Sequence, residues 1–151
     1  MLDLSLDKRQ LCDIQGRLFE LAYKNGYDCP DFIEQFMNSN SAAALDRLYD
    51  RLQWAGEEYI LEELDDEAGG LKKAGVIYPL EIMYWSGYIY RYWHYYTGQS
   101  SREIYKIADA QTMNACWAGF HTMDVEMAID DLMEIYTQKH TMEDKKDDEK
   151  P

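Results

Sequence analysis

The chain has 151 residues, of which 29 are Asp or Glu and 15 are Lys or Arg, so its formal net charge is −14. Hydrophobic residues make up 46% and aromatic residues 14%, a composition too apolar for a disordered acidic chain. The negative charge disfavours unaided binding to nucleic acid or to an anionic membrane, since both require a positive surface. These figures indicate a single compact acidic domain.

The N-terminal residues and the cysteines predict the compartment. Residues 1–9 are charged and lack the apolar run of a signal peptide. No stretch of the sequence approaches the roughly 20 apolar residues of a membrane helix. Cys12, Cys29 and Cys116 form no CxxC pair and are odd in number, which is typical of reduced thiols. We therefore expect a cytoplasmic protein without a membrane-spanning segment.

Caps and helical periodicity recur along the first half of the chain. Ser5 precedes an amphipathic helix predicted over residues 6–25, which Gly26 ends. Pro30 opens a short second helix. After a turn at residues 38–41, the spacing of the apolar residues predicts a third helix. Its inward-facing members are expected to be Leu45, Leu48, Leu52 and Ala55.

The second half continues the same pattern. Residues 57–67 are predicted as a helix that ends at two glycines, and residues 71–78 as a connector with an extended stretch at 76–78. Pro79 begins a helix over residues 80–96. Three further helices are expected after caps at Ser100 or Ser101, at Asp109 and at Asp124, the last of them running over residues 125–138.

These elements predict an all-α fold, a compact bundle of six to eight helices around a central aromatic helix. The helical domain is expected over residues 1–140. Residues 141–151 contain almost no apolar side chain, so we expect them to form a disordered tail of acidic and basic residues.

The segment 81–96 is the densest feature of the sequence, with eight aromatic residues that surround the predicted helix. A helix that is apolar all round lies at the centre of a fold or under a partner. Tyr84, Tyr88, Arg91 and Tyr95 form a separate stripe, in which phenols and a guanidinium need hydrogen-bond acceptors if they are buried. The stripe is therefore typical of a polar pocket or a partner surface, and the alternative is a core with internally bonded hydroxyls.

Carboxylates are concentrated in two clusters. Residues 57–67 contain seven of them and no Lys or Arg, and residues 124–134 contain five. Such clusters are either solvated faces that aid solubility or negative patches that attract a basic partner. Neither cluster contains a Glu-x-x-His pattern or the spacing of an EF-hand, so no metal ion and no other cofactor is predicted.

Catalytic motifs are not found in the sequence. The three histidines, His94, His121 and His140, show no zinc-binding spacing, and the chain has no glycine-rich phosphate loop and no Gly-x-Ser-x-Gly. The chain is therefore not expected to be an enzyme. Two alternatives stay open: a transcriptional regulator with a helix-turn-helix-like segment around residues 84–108, and an enzyme with an unrecognised pocket near Arg91 and His94.

Several strings of the sequence together resemble a group of small acidic proteins of Firmicutes. The strings are Phe36–Ser39, Gln53–Glu63, Met83–His94, Tyr96–Gly98, Ser100–Ser101, Glu103–Lys106, Phe120–Asp124 and Ala128–Asp130. The central string is similar to the pattern MYWxGYIYRYW of that group, and the resemblance extends over about residues 31–131. Its members are encoded in toxin–antitoxin-like cassettes beside proteins of the ADP-ribosyltransferase fold. The resemblance implies an antitoxin-like, partner-binding role and carries over no catalytic residue.

The sequence thus predicts a non-enzymatic interaction module that docks an aromatic and acidic surface on a basic toxin or other protein partner. The resemblance implies that an ADP-ribosyltransferase-fold toxin is such a partner. Nucleic acid is not expected to bind without the partner. The residues predicted to contact the partner are Tyr84, Tyr88, Arg91, Tyr92 and His94, with Glu57, Glu58, Glu62 and Glu63 as steering charges.

Overall fold

A computed structural model describes the backbone of residues 2–148 and the surroundings of side chains 2–143. Over this range the chain forms eight α-helices and one short 3-10 helix, which confirms the all-α prediction of six to eight helices. The α-helices are α1 (Leu6–Lys24), α2 (Cys29–Met37), α3 (Asn40–Asp46), α4 (Glu57–Ala68), α5 (Leu80–Thr97), α6 (Ser101–Ile107), α7 (Ala110–Phe120) and α8 (Val125–Asp148). The 3-10 helix (Arg51–Trp54) lies between α3 and α4.

Side-chain caps begin most of these helices, because a short polar side chain satisfies a backbone N–H that the first turn leaves free. The predicted caps at Ser5 and Asp109 are confirmed, since their side chains accept hydrogen bonds from the N–H groups of Lys8 and Thr112. Ser100 rather than Ser101 caps α6. The same pattern begins α2, α3 and the 3-10 helix at Asp28, Ser39 and Asp50.

The aromatic helix α5 lies at the centre of the bundle and packs along α1, with α6, α7 and α8 on its other sides. Its Trp93 and Tyr90 are fully buried, and the Tyr90 hydroxyl donates to the carbonyl of Ala108 at 2.6 Å. From α1, Phe19 contacts the rings of Phe32 and Phe36 edge to face, at centroid distances of 5.3 and 5.5 Å. Burial of these large rings supplies the main driving force for folding.

The third predicted helix is shorter than its apolar spacing indicated. α3 ends at Asp46, and the chain then turns at an extended Arg47. Leu45 and Leu52 are buried as expected, but Leu48 is 79% exposed and Ala55 is also exposed, so the inward orientation predicted for these two residues is wrong. The cause is capping: Asp50 accepts the N–H of Leu52 and starts a separate 3-10 turn instead of prolonging α3.

The connector between α4 and α5 is held against the junction of α1 and α2. Tyr27 and Lys73 form an isolated antiparallel bridge, and the N–H of Cys29 donates to the carbonyl of Val76 at 2.8 Å. The buried carboxylate of Asp28 accepts the N–H of Val76 at 3.0 Å. The segment between α4 and α5, which includes the stretch predicted to be extended at 76–78, is thus hydrogen-bonded to the helical junction. We call this segment the strap.

The last helix, α8, continues past residue 140 to Asp148, which is eight residues into the segment predicted to be a disordered tail. Thr137 and Thr141 on this stretch donate their hydroxyls to the carbonyls one turn earlier. The rest of the predicted tail, residues 149–151, lies outside the described residues. Within residues 2–148 no helix combines the length and the apolar character that crossing a bilayer requires.

Candidate partner-binding surface

Arg91, a predicted partner contact, lies in the interior with its side chain fully buried. Its guanidinium donates to Asp46 Oδ1 at 2.7 Å through Nη1, to Gln15 Oε1 at 2.8 Å through Nε and to Ser101 Oγ at 3.5 Å through Nη2. The role predicted for Arg91 is corrected accordingly: its donors bind four helices together and do not reach a partner. A buried guanidinium requires such acceptors, because an unpaired internal charge is very costly.

Asp46 completes this buried cluster from the end of α3. Its Oδ2 accepts the backbone N–H of Ser101 and its Oδ1 the hydroxyl of the same residue, both at 2.8 Å. His94 Nδ1 lies 3.8 Å from Asp46 Oδ1 and 2.7 Å from the carbonyl of Gln99. The structure therefore brings Arg91 and His94 to one carboxylate, which sequence reasoning had not singled out.

The tyrosines of the predicted contact set are tied to neighbouring helices. The Tyr84 hydroxyl donates a hydrogen bond to Asp13 on α1. The pKa of Tyr84 is raised well above its usual range, mainly because the side chain is partly buried and secondly because of this hydrogen bond. Tyr92 is buried and donates to Glu126 on α8 at 2.9 Å. Tyr88 is half-buried, and Tyr88 and Tyr92 line a cleft of about 450 Å³ together with Arg9. Tyr84 and Tyr92 thus connect α5 to α1 and α8, and Tyr88 and Tyr92 reach the surface only at this cleft.

The helix-turn-helix-like segment corresponds to α5, the turn at 98–100 and α6. Of the two cations on α6, Arg102 is held by the carbonyl of Asn38, which accepts from Nε at 3.1 Å and from Nη2 at 2.8 Å. Lys106 is exposed in the last turn of α6. The second helix of this segment thus has one cation that is exposed to solvent, Lys106, and one that is hydrogen-bonded to the backbone of Asn38, Arg102.

The acidic residues predicted as steering charges all lie on α4, where they flank a buried edge formed by Ile60 and Leu64. Glu58, Glu62 and Glu63 are exposed and Glu57 is half-exposed at the first turn, where the helix dipole favours a negative charge. Among side chains 2–143, no Lys or Arg lies within 4 Å of any of these carboxylates. We call these four residues, together with the exposed Asp66, the acidic face.

A groove of about 630 Å³ runs beside the acidic face, between α3 and α4. Tyr59, Glu63 and Glu67 form its α4 wall at successive helical turns, and Ala44 and Leu52 line it from the other side. The carboxylate of Glu67 closes one end by accepting backbone N–H groups at the start of α3, that of Asn40 at 2.6 Å and that of Ser41 at 3.3 Å. The groove therefore has a partly apolar lining and a negatively charged wall.

Three large apolar side chains are exposed in the segment between α3 and α4. Leu48 is 79%, Tyr49 84% and Trp54 73% exposed, and we call them the exposed trio. Each is adjacent in the chain to a residue that lines the groove, namely Arg47, Asp50 or Ala55. Sequence reasoning missed this feature because it placed Leu48 inward and left Tyr49 and Trp54 without a role. The local signals, Asp50 as a possible cap and Gly56 as a possible break, indicate where a helix can start or stop but not that these three side chains are exposed.

No family model, no curated protein and no solved structure matches the chain in comparisons with each of these three groups. In residues 2–143, no group of three or more His, Cys, Asp or Glu side chains is arranged to hold a metal ion. The acidic face, the groove and the exposed trio all lie within residues 40–67, Glu63 belongs to both the face and the groove lining, and this region is the candidate site.

Proposed function

We propose that this protein is a non-enzymatic, cytoplasmic interaction module that binds a basic protein partner through the acidic face of α4. The observation that carries the proposal is the unbalanced charge of that helix: seven carboxylates lie within residues 57–67, with no Lys or Arg among them. Like charges one helical turn apart, such as Glu58 and Glu62, destabilise a helix by a few tenths of a kcal/mol. A partner that supplies positive charge removes that repulsion on binding.

The overall charge of −14 supports the same partner chemistry. A strongly acidic protein attracts a basic one over several ångströms and increases the rate of productive encounters, most strongly at low salt. The cysteines are consistent with a reducing compartment, since Cys12 and Cys29 are buried free thiols and Cys116 is a half-buried one.

The partner's role follows from the sequence resemblance. The group that this chain resembles is encoded in toxin–antitoxin-like cassettes, so we propose an antitoxin-like function in which the chain neutralises the product of the adjacent gene. Docking on a basic cleft would block the partner sterically and electrostatically, with no chemical step by this chain. An ADP-ribosyltransferase-fold toxin is the partner that the resemblance suggests.

Co-expression and purified binding test the proposal. The full chain is titrated with the product of the adjacent gene by surface plasmon resonance at several salt concentrations, and growth is compared with and without co-expression. We expect a complex whose association rate falls as salt rises, together with relief of toxicity. The double variant Glu58→Gln/Glu62→Gln should associate about tenfold more slowly and with a flatter salt dependence.

The control is a double variant in which two glutamates outside the acidic face are neutralised. Glu34 and Glu143 are exposed glutamates on α2 and α8 and do not belong to the acidic face. Their change to Gln lowers the net negative charge by the same amount and should leave the association rate within about twofold of wild type. Absence of any complex, or equal slowing by both double variants, would contradict a specific role for α4.

A further inference from the structure

The exposed trio and the groove beside it indicate where the partner's apolar contacts fall. Large apolar side chains that stand alone on a surface are common, but three of them within seven residues, each next to a groove-lining residue, are typical of a binding site. Tyr and Trp are also the residues that most often dominate binding energy at protein interfaces.

We propose that the groove between α3 and α4 receives a short segment of a basic protein partner, in which an apolar or aromatic side chain is flanked by Lys or Arg. This proposal rests on the proposed function and specifies the contact within it. The apolar side chain lies over Ala44 and Leu52, and the exposed trio offers further apolar contacts beside the groove. The neighbouring cations face Glu63 and Glu67 on the α4 wall.

Charge complementarity selects this occupant. Arg47 in the lining is already paired with Asp50, with Nη1 3.0 Å from Oδ2, so its charge is compensated internally. Glu63 and Glu67 then outnumber the remaining lining cation, Arg51. Tyr59 and Glu63 both line the groove, and the neighbouring Glu63 carboxylate raises the pKa of the Tyr59 phenol. A cation at Glu63 therefore meets a carboxylate that lies beside an aromatic ring.

A second copy of the chain does not fit the same surface. Self-association through this region would bring two chains of charge −14 together along their acidic faces, and like charges face to face cost several kcal/mol. An acidic or phosphorylated segment is disfavoured for the same reason. A basic partner segment is the occupant that satisfies both the carboxylate wall and the apolar lining.

The buried cluster prepares this surface for binding. Asp46 is the last residue of α3, and its bonds to Arg91 and Ser101 fix the point from which the segment 47–56 departs. The Asp50 cap and the Arg47–Asp50 pair then hold the first turn of that segment. A surface that is ordered before binding loses less conformational entropy when the partner docks.

The test measures the affinity of the full chain for the product of the adjacent gene, with single variants of the exposed trio. Trp54→Ala should weaken binding at least tenfold, mainly through faster dissociation and equally at low and high salt, because the lost contact is apolar. Trp54→Phe should restore a large part of the affinity. The matched control is Leu6→Ala, which removes a 62% exposed apolar side chain from α1 and should leave the affinity unchanged.

Trp54 also provides a direct optical readout. It is the strongly exposed member of the four tryptophans in the chain, so docking should shift its emission to shorter wavelength and protect it from acrylamide. The shift should vanish in Trp54→Phe. A complex that is weakened by Glu58→Gln/Glu62→Gln but unaffected by Trp54→Ala would overturn this proposal and leave the proposed function standing. Failure to form any complex would overturn both.

Discussion

Arg91 and Asp46 form an ion pair in the interior, with Nη1 2.7 Å from Oδ1, and the pair connects the central helix to the end of α3. The arginine side chain is fully buried and the aspartate nearly so. Removal of one partner from such a pair leaves an uncompensated internal charge, which costs far more than the loss of a surface ion pair.

Asp46→Asn should therefore lower the free energy of unfolding by roughly 3–5 kcal/mol, measured by urea denaturation followed by circular dichroism. The control is Arg17→Gln, which breaks the solvent-exposed pair between Arg17 and Asp13, whose nitrogen and oxygen lie 2.7 Å apart. Arg17→Gln should lower the free energy of unfolding by no more than about 0.5 kcal/mol. Similar losses for the two variants would show that the buried pair is not the constraint we describe.

Two glycines in helices should respond to alanine in opposite directions. A Cβ on Gly87 would lie 2.5 Å from the backbone oxygen of Gln15, so α1 and α5 would have to separate. Gly87→Ala should lower the free energy of unfolding by about 1–3 kcal/mol, although alanine has a better helix propensity than glycine. A Cβ on Gly119 in α7 meets no atom within 4 Å, and Gly119→Ala should stabilise by up to about 1 kcal/mol. Thermal unfolding of both variants checks the sign of each effect.

The helices were predictable because their signals are local. Ser5, Gly26 and Asp109 act on backbone groups a few residues away, so a cap or a stop can be recognised in the sequence itself. The end of α3 was not predictable in this way. The spacing of Leu45, Leu48 and Leu52 continues a helical period, whereas Asp50 can cap a new turn, and these two local signals favour opposite outcomes.

The same distinction applies to the candidate site. The acidic face was recognised because its charges are consecutive on one helix. Arg91 was misplaced on the surface because its partner Asp46 lies 45 residues earlier in the chain, and no local pattern connects them. The exposed trio depends on where α3 stops, so it could be located only once that end was known.

The strap between α4 and α5 should show a pH dependence through Asp28. Burial alone would raise the pKa of this carboxyl, but hydrogen bonds from the N–H groups of Val76 and Asp31 and the charge of Lys72 lower the pKa below its ordinary value of 3.8. A lowered folded pKa contributes stability above the unfolded value, and that contribution is lost as pH falls through the folded pKa.

Asp28→Asn should therefore destabilise the protein by about 1–3 kcal/mol at neutral pH. The difference from wild type should begin to shrink as the pH falls past 3.8 and disappear at still lower pH. Urea denaturation at a series of pH values measures this difference. A difference in the free energy of unfolding that stays constant down to strongly acidic pH would contradict the role of the Asp28 charge.

The three thiols should react at very different rates. Cys12 and Cys29 are completely buried, and burial raises the pKa of Cys12 to about 12. Cys116 is half-buried, and burial raises its pKa to a smaller extent. A thiol reagent at about pH 8 should modify Cys116 in the folded protein, while Cys12 and Cys29 react only as the chain unfolds. Mass spectrometry of the labelled peptides identifies the order, and rapid labelling of Cys12 would refute the packing of α1 against α5.

The most direct measurement of the central claim is hydrogen exchange of the full chain, free and bound to the product of the adjacent gene. We expect new protection of backbone amides in residues 47–63, which include the exposed trio and most of the acidic face, and unchanged exchange along α8. Protection confined to α8 or to the N-terminal residues, with 47–63 exchanging as in the free protein, would contradict the surface proposed here.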